Sequence, residues 1–311
     1  MAIPGSSSGP AIRTAALSKR YGRTVALDGL DLDVPRGEAF GFLGPNGAGK
    51  TTAVKLLLGL AFPTAGTGEI LGSPIGDRPT RARIGYLPEL FRYQPWLSAR
   101  EVLGFHCELS RLPRPVWAAA IDGALATVGL AARGDDRVGT FSKGMQQRLG
   151  LGVALLGPPA LVILDEPTSA LDPLGRQDVR TILHGLREQG VTVFLNSHLL
   201  TEVERVCDRV AVVDRGRVVA TGRLAELLAP SGVVVVVDGL PPDAAEVLAP
   251  LGTVSVEGDR LTVEGLAADG VPELVARIVG LGGRVRAVEP EQHTLEERFL
   301  DLIGPRGRGE S

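Results

Sequence analysis

The apolar positions of this chain fall into short saturated runs, separated by longer stretches with helical spacing. Leu161–Leu164 and Val191–Leu195 are nearly unbroken in Val, Ile, Leu and Phe, and Glu38–Leu43 is apolar after its first residue. Runs this short and this apolar read as strands buried on both faces. Their alternation with helical stretches from Ile12 to Ala229 predicts an α/β domain around a parallel sheet. Val210–Val219 reads as a hairpin that turns at Asp214-Arg215-Gly216. The pattern changes after Ala229-Pro230-Ser231-Gly232. Beyond it come a strand (Val233–Val237), a helix (Asp243–Leu251), strands at Thr253–Val256 and Leu261–Val263, a helix (Val271–Leu281) and a strand (Arg284–Val288). That βαββαβ order is the ferredoxin-like arrangement. A last helix starts at Thr294, where Thr294 and Glu297 fit a capping box, and carries Leu295, Phe299, Leu302 and Ile303 at helical spacing. The expected organisation is therefore a large α/β domain over residues 12–229 and a small α+β domain over residues 230–303. The Ser-, Gly- and Pro-rich residues 1–11 and the closing GPRGRGES (residues 304–311) are expected to be disordered tails.

Composition narrows the classes. The 311 residues carry 33 basic and 36 acidic side chains, a net charge of −3. Such balance argues against a nucleic-acid partner, which needs a basic face. Cys107 and Cys207 make no disulfide framework, so a reducing compartment is expected. The N-terminus lacks the basic start and apolar core of a signal peptide. No apolar run approaches the roughly 20 residues of a spanning helix, so the chain is not expected to cross a membrane by itself.

Two segments carry chemistry. Gly44–Thr51 reads GPNGAGKT and fits G-x-x-x-x-G-K-[ST], with a predicted strand before it and a helix-forming stretch, Thr52–Leu58, after it. Gly44, Gly47 and Gly49 allow the backbone to turn its N–H groups toward phosphate oxygens. The helix starting near Lys50 adds the positive end of its dipole. Lys50 supplies a point charge for β- and γ-phosphates, and the Thr51 hydroxyl suits Mg²⁺. The second segment, Leu161–Glu166, reads LVILDE, with two acids at the carboxyl edge of a buried strand. Ligands of open parallel sheets gather at that edge. There Asp165 suits Mg²⁺ and Glu166 suits a general base that orients the attacking water.

With these motifs in place, the chain resembles the nucleotide-binding subunits of ABC transporters, motif by motif and in order across Ile12–Ala229. Tyr21 matches the aromatic position that stacks on adenine. Glu89, in IGYLPEL, stands at the Q-loop, where Gln is usual; an ionised carboxylate can touch Mg²⁺ and accept from water but cannot donate. Phe141–Met145 reads FSKGM at the place of the LSGGQ signature, so Ser142 and Gly144 are kept while Lys143 and Met145 depart. Ser169-Ala170-Leu171-Asp172 matches the D-loop, with Ser169 and Asp172 at the dimer interface. His198, in LNSHLL after Val191–Leu195, matches the switch histidine that contacts the γ-phosphate, a catalytic position. His106, His184 and His293 match nothing.

The resemblance implies a P-loop ABC ATPase fold with a parallel-sheet core, an antiparallel β subdomain and a helical subdomain. It implies that Tyr21, Gly44, Pro45, Asn46, Gly47, Ala48, Gly49, Lys50, Thr51 and Thr52 bind ATP, with Glu89, Ser142 and Gly144. Mg²⁺ would be held by Thr51, Asp165 and Glu89. It further implies a homodimer with ATP sandwiched between protomers, a separate integral membrane permease, and a place on the cytoplasmic face of the membrane. The S-K-G-M signature and the C-terminal extension resemble those of drug- and antibiotic-exporter ATPases. Leu90–Ser110, which carries Tyr93, Pro95, Trp96 and Phe105, is expected to dock the permease. Two other functions stay open: a soluble ABC ATPase with a non-membrane target, and a regulatory ATP-binding module.

Overall fold

The saturated runs form the centre of a six-stranded sheet. In chain order the strands are β1 (Ile12–Tyr21), β2 (Thr24–Val34), β3 (Ala39–Leu43), β4 (Ala65–Ile70), β5 (Ser73–Pro74), β6 (Ile84–Leu87), β7 (Leu161–Asp165), β8 (Thr192–Asn196), β9 (Arg209–Asp214), β10 (Arg217–Arg223), β11 (Gly232–Asp238), β12 (Thr253–Glu257), β13 (Arg260–Glu264) and β14 (Arg284–Pro290). The helices are α1 (Lys50–Leu57), α2 (Arg78–Arg81), α3 (Ala99–Leu109), α4 (Trp117–Thr127), α5 (Lys143–Ala154), α6 (Pro173–Glu188), α7 (Leu200–Val206), α8 (Leu224–Leu227), α9 (Ala244–Leu248), α10 (Val271–Gly280) and α11 (Leu295–Ile303). This computed structural model describes residues 9–169, 171–291 and 294–304. Residues 1–8 and 305–311 of the expected tails, and Ala170 of the D-loop match, lie outside the described residues.

Contacts divide the chain into two units, one reaching Leu224 and taking in residues 302–304, the other spanning Ala225–Asp301. In the first unit the large sheet runs in the order β10-β9-β3-β8-β7-β6. Strands β9, β3, β8, β7 and β6 are parallel, and β10 returns antiparallel through the predicted hairpin. The hairpin turn has positive φ at Arg215 and Gly216, the type I′ geometry that matches strand twist. Every residue of β3, β7 and β8 is buried, as expected for strands covered on both faces. Phe194 of β8 stacks on Phe40 of β3 with 6.0 Å between ring centroids, and lies 5.3 Å from Phe42. These rings join Leu161, Ile163 and α1 residues Val54 and Leu57 in one core.

A second, antiparallel sheet of the same unit has the order β2-β1-β4-β5. Its long strands β1 and β2 pair from Ile12↔Val34 to Tyr21↔Thr24, with register shifts along the way. Helices α3, α4 and α5 pack together as the helical part of this unit. The second unit has the antiparallel order β12-β13-β11-β14, with α9 and α10 in the connections, which is the ferredoxin-like topology. Its core is Val233, Val235 and Val237 of β11, Leu261 and Val263 of β13, and Leu248, Leu274 and Ile278 of the helices. The capping box at α11 is formed: Thr294 N donates to Glu297 Oε2 at 2.9 Å and Glu297 N to Thr294 Oγ1 at 3.2 Å. Among the described residues no helix is long and apolar enough to cross a membrane.

Candidate nucleotide site

The parallel sheet aims its chemistry at one edge. Gly44–Lys50 follows β3, Asn196 ends β8 with Ser197 and His198 after it, Asp165 ends β7 with Glu166 after it, and Glu89 lies just past β6. These are the carboxyl ends of four neighbouring parallel strands, the general location of ligand sites in open α/β sheets.

The phosphate loop is shaped by its glycines. Gly49 has φ +99, and a Cβ there would collide with the Ala26 carbonyl oxygen. Gly44 likewise has the Val213 carbonyl oxygen where a Cβ would lie. The β9–β10 turn braces the loop from below, with Gly216 N donating to Ala48 O at 2.9 Å. Helix α1 begins at Lys50 with no side-chain cap and no acid in its first turn. By contrast, Ser98, Ser142 and Asp172 cap α3, α5 and α6. An uncapped helix end offers unpaired N–H donors and positive potential to an anion. Lys50 is buried, and its Nζ donates to Gly44 O at 2.6 Å and Pro45 O at 3.2 Å. Thr51 is exposed beside it, Thr52 is half-buried, and Asn46 and Gly47 are exposed at the loop tip. Burial lowers the Lys50 pKa, against the opposing charges of Glu166, Asp165 and Glu89.

Strand periodicity sets the acidic side. Ile163 and Phe194 lie in the core shared with α1. A side-chain period of two returns Asp165 and Asn196, two residues further, to that face. The two are register partners across β7 and β8, and Asn196 Nδ2 donates to Asp165 Oδ1 at 2.5 Å. Burial raises the Asp165 pKa; the Asn196 bond lowers it, Glu89 and Glu166 raise it further, and Lys50 opposes them.

Glu166 takes a left-handed φ of +53, uncommon for a side chain of this size. Its amide donates to Asn196 O at 2.9 Å, which anchors the turn to β8. Its carboxylate accepts from His198 N at 2.9 Å and from Ser197 Oγ at 3.3 Å, and lies 2.7 Å from His198 Nδ1. Ser197 is buried, while the His198 side chain is 56% exposed and open to a ligand. Asn196 and Ser197 are absent from the sequence-derived set; the signal that points to them is their place before His198 at the end of a strand paired with β7.

The remaining predicted positions sit elsewhere. Tyr21 ends β1 half-exposed, with Lys19 Nζ 4.9 Å from its ring centroid. Ser142 caps α5 by accepting from Met145 N at 3.2 Å. With Gly144, Leu171, Asp172 and Gly175 it lines a groove of about 410 Å³. No hydrogen bond or ion pair joins Ser142 or Gly144 to Lys50 or Asp165 among the described residues. Ser169 Oγ donates to Glu166 O at 3.1 Å, and Asp172 caps α6 by accepting from Gly175 N at 2.8 Å. A separate groove of about 1080 Å³ is lined by Tyr86, Phe91, Tyr93, Leu97, Phe105 and Leu109. Trp96, Phe105 and Leu109, all from the Leu90–Ser110 segment, are more than half exposed.

Oxygen donors suit a hard cation: the Thr51 hydroxyl, Asp165 and Glu89 are all of that kind. Among the described residues no three His, Cys, Asp or Glu gather as a ligand cage. Mg²⁺ in nucleotide sites is held by one or two carboxylates together with substrate phosphates, and Asp165 and Glu89 are carboxylates of that kind.

Comparisons with known proteins agree with this geometry. Residues 27–169 match the family described as ABC transporter. An uncharacterized ABC transporter ATP-binding protein of Synechocystis is 40% identical over 288 residues, covering 92% of this chain and 80% of that protein. The daunorubicin resistance ATP-binding protein DrrA3 of Streptomyces coeruleorubidus is 38% identical over 310 residues, covering 94% of this chain and 96% of that protein. A solved ATP-binding subunit of an ABC transporter superposes with a TM-score of 0.64 at 30% identity, covering 70% of this chain and 91% of that one. An uncapped helix start with a buried lysine, an acidic strand end beside it, and these likenesses over most of both chains place the protein in one family: it belongs to the ATP-binding ATPases of ABC transporters.

Proposed function

We propose that this chain binds MgATP between two copies of itself and hydrolyses it to power export through a separate membrane permease. The observation that carries the reading is the meeting of Lys50, Asp165, Glu166 and His198 at one sheet edge, with Glu166 held by the loop after β8. Lys50 and the α1 N–H groups neutralise the phosphates, while Glu166 orients the attacking water and takes its proton. His198 is poised beside Glu166 for the γ-phosphate. Thr51, Asp165 and Glu89 would hold Mg²⁺, whose chemistry there is to offset charge on the phosphate oxygens. Tyr21 offers a ring face to adenine.

Ser142 and Gly144 serve the nucleotide of the opposite copy. They line the groove at the start of α5 with Asp172, and among the described residues no hydrogen bond or ion pair joins them to Lys50 or Asp165. Lys143, exposed at the first position of α5, adds positive charge to that contact. The dimer closes on ATP and opens after hydrolysis, which drives the permease between its two states. The aromatic groove beside Trp96 and Phe105 is the permease's docking surface, and the chain acts from the cytoplasmic face of the membrane. Export is favoured because DrrA3, matched over 96% of its length, carries a drug-resistance name. Neither a non-membrane target nor a purely regulatory module is favoured. Similar relatives covered over most of their length are named for transport or resistance, and Glu166 stands where this reading needs a base.

Lys50→Ala tests the reading. Its ATP turnover should fall below detection and its ATP affinity by at least about tenfold, since a charge-assisted contact of about 1.5–3 kcal/mol is lost. Undiminished turnover would refute the phosphate role.

A further inference from the structure

We propose that Asn196 is a positioning residue of the cation site: its amide nitrogen fixes the Asp165 carboxylate, and its amide oxygen is the acceptor offered to the hydration shell of the divalent cation. The inference rests on the nucleotide reading above. It starts from an anomaly in β8, which is otherwise apolar between Val193 and Leu195 and wholly buried. An amide at its last position, 2% exposed, is a poor choice for packing alone.

Half of that amide has a partner. Asn196 is the register partner of Asp165, and its Nδ2 lies 2.5 Å from Asp165 Oδ1. The orientation of the amide is fixed by chemistry, because an ionised carboxylate only accepts. With the nitrogen turned to Asp165, the oxygen is turned away. Asn196 Oδ1 is buried and has no donor within reach among the described residues. A buried acceptor without a partner calls for a ligand or a water. It belongs to the same planar amide that holds Asp165, the carboxylate assigned to the cation. Mg²⁺ gives up its waters reluctantly and keeps several of them in protein sites. A carboxylate that meets such a cation through water needs further acceptors around it, and Asn196 Oδ1 supplies one. Groups that orient metal ligands in this way typically contribute about 10–100-fold to metal affinity.

The test separates metal affinity from nucleotide affinity. The purified full-length chain is titrated with a non-hydrolysable ATP analogue, first in EDTA and then at rising Mn²⁺. In Asn196→Leu, which matches the volume but has no polar atom, the affinity in EDTA should stay within about twofold of wild type. The gain in affinity on adding Mn²⁺ should shrink by about 10–100-fold. Asn196→Ala, which adds no bulk, carries the same expectation where the leucine variant fails to fold. Asn196→Ser, which keeps a donor and an acceptor, should recover part of the loss. An unchanged Mn²⁺ gain overturns the proposal. An equal loss with and without metal also overturns it, because the amide would then only support the pocket wall. Absence of any Mn²⁺ gain in the wild-type chain overturns the nucleotide reading itself, and this inference with it.

Discussion

Replacing Glu166 by Gln changes one atom of the side chain and separates catalysis from architecture. The carboxylate is buried, accepts from His198 N at 2.9 Å and Ser197 Oγ at 3.3 Å, and sits 2.7 Å from His198 Nδ1. A Gln keeps one oxygen to accept from His198 N, and its NH₂ can donate to the Ser197 hydroxyl, which rotates to accept. The loss is the difference between charged and neutral hydrogen bonds, about 1–2 kcal/mol of stability. For a protein of this size that lowers Tm by roughly 2–8 °C, and the chain stays folded. Catalysis loses far more. A general base contributes about 10²–10⁴-fold, or roughly 3–5 kcal/mol of barrier. Glu166→Gln should therefore bind ATP as wild type does, release phosphate at least about 100-fold more slowly, and accumulate an ATP-bound dimer. Phosphate release at saturating MgATP and molar mass by light scattering with and without ATP read the two effects. Turnover within about tenfold of wild type would place the base elsewhere. A slow variant that has also lost ATP binding would show that Glu166 supports the pocket and not the water.

Three further substitutions probe the site against the fold. Burial, with Glu89 and Glu166 close by, raises the Asp165 pKa above its ordinary value of about 3.9. A raised carboxyl favours the folded state only while protonated; that contribution is complete below the ordinary value and is lost as pH rises through the folded one. At neutral pH the ionised Asp165 thus opposes folding of the nucleotide-free chain, so Asp165→Asn should raise its Tm while lowering ATP turnover. A fall in Tm at pH 7 with neither ATP nor metal present would contradict this sign. Gly49→Ala should destabilise the chain more than Gly47→Ala. Both have positive φ, +99 and +83, but only at Gly49 does a Cβ meet backbone, at Ala26. Strain alone costs about 1–3 kcal/mol, so equal urea midpoints for the two variants would refute the collision.

Much of this was legible because single residues carry it. The GPNGAGKT loop needs its glycines wherever it occurs, and LVILDE marks a buried strand by its apolar run and the strand's end by its acids. The C-terminal unit was legible for a related reason. In β13, Leu261 and Val263 point inward while Arg260, Thr262 and Glu264 do not, so the alternation is clean. Strands β1 and β2 were not placed, because their alternation is broken. The pairing shifts between Thr14 and Leu17 and again on both sides of Lys19, and Ala16 and Gly29 take positive φ. A bulge inserts a residue and turns the following side chains to the other face, so a period-two reading fails where the strand is longest.

The same limit explains the site. Asn196 and Ser197 are short polar residues at a strand end, and in isolation they read as the start of a turn. What makes them part of the nucleotide edge is the register that sets Asp165 opposite Asn196, and residue 196 lies 31 positions further along the chain. Register is set by the whole packing of β7 on β8, through pairs such as Ile163↔Phe194, and no local pattern encodes it. A slip of one residue would turn Asn196 to the opposite face and leave Asp165 buried without its donor. The apolar pairs below therefore do more than fill the core. By fixing which residue of β8 meets Asp165, they decide whether the acidic end of β7 can be held ionised beside the phosphate loop.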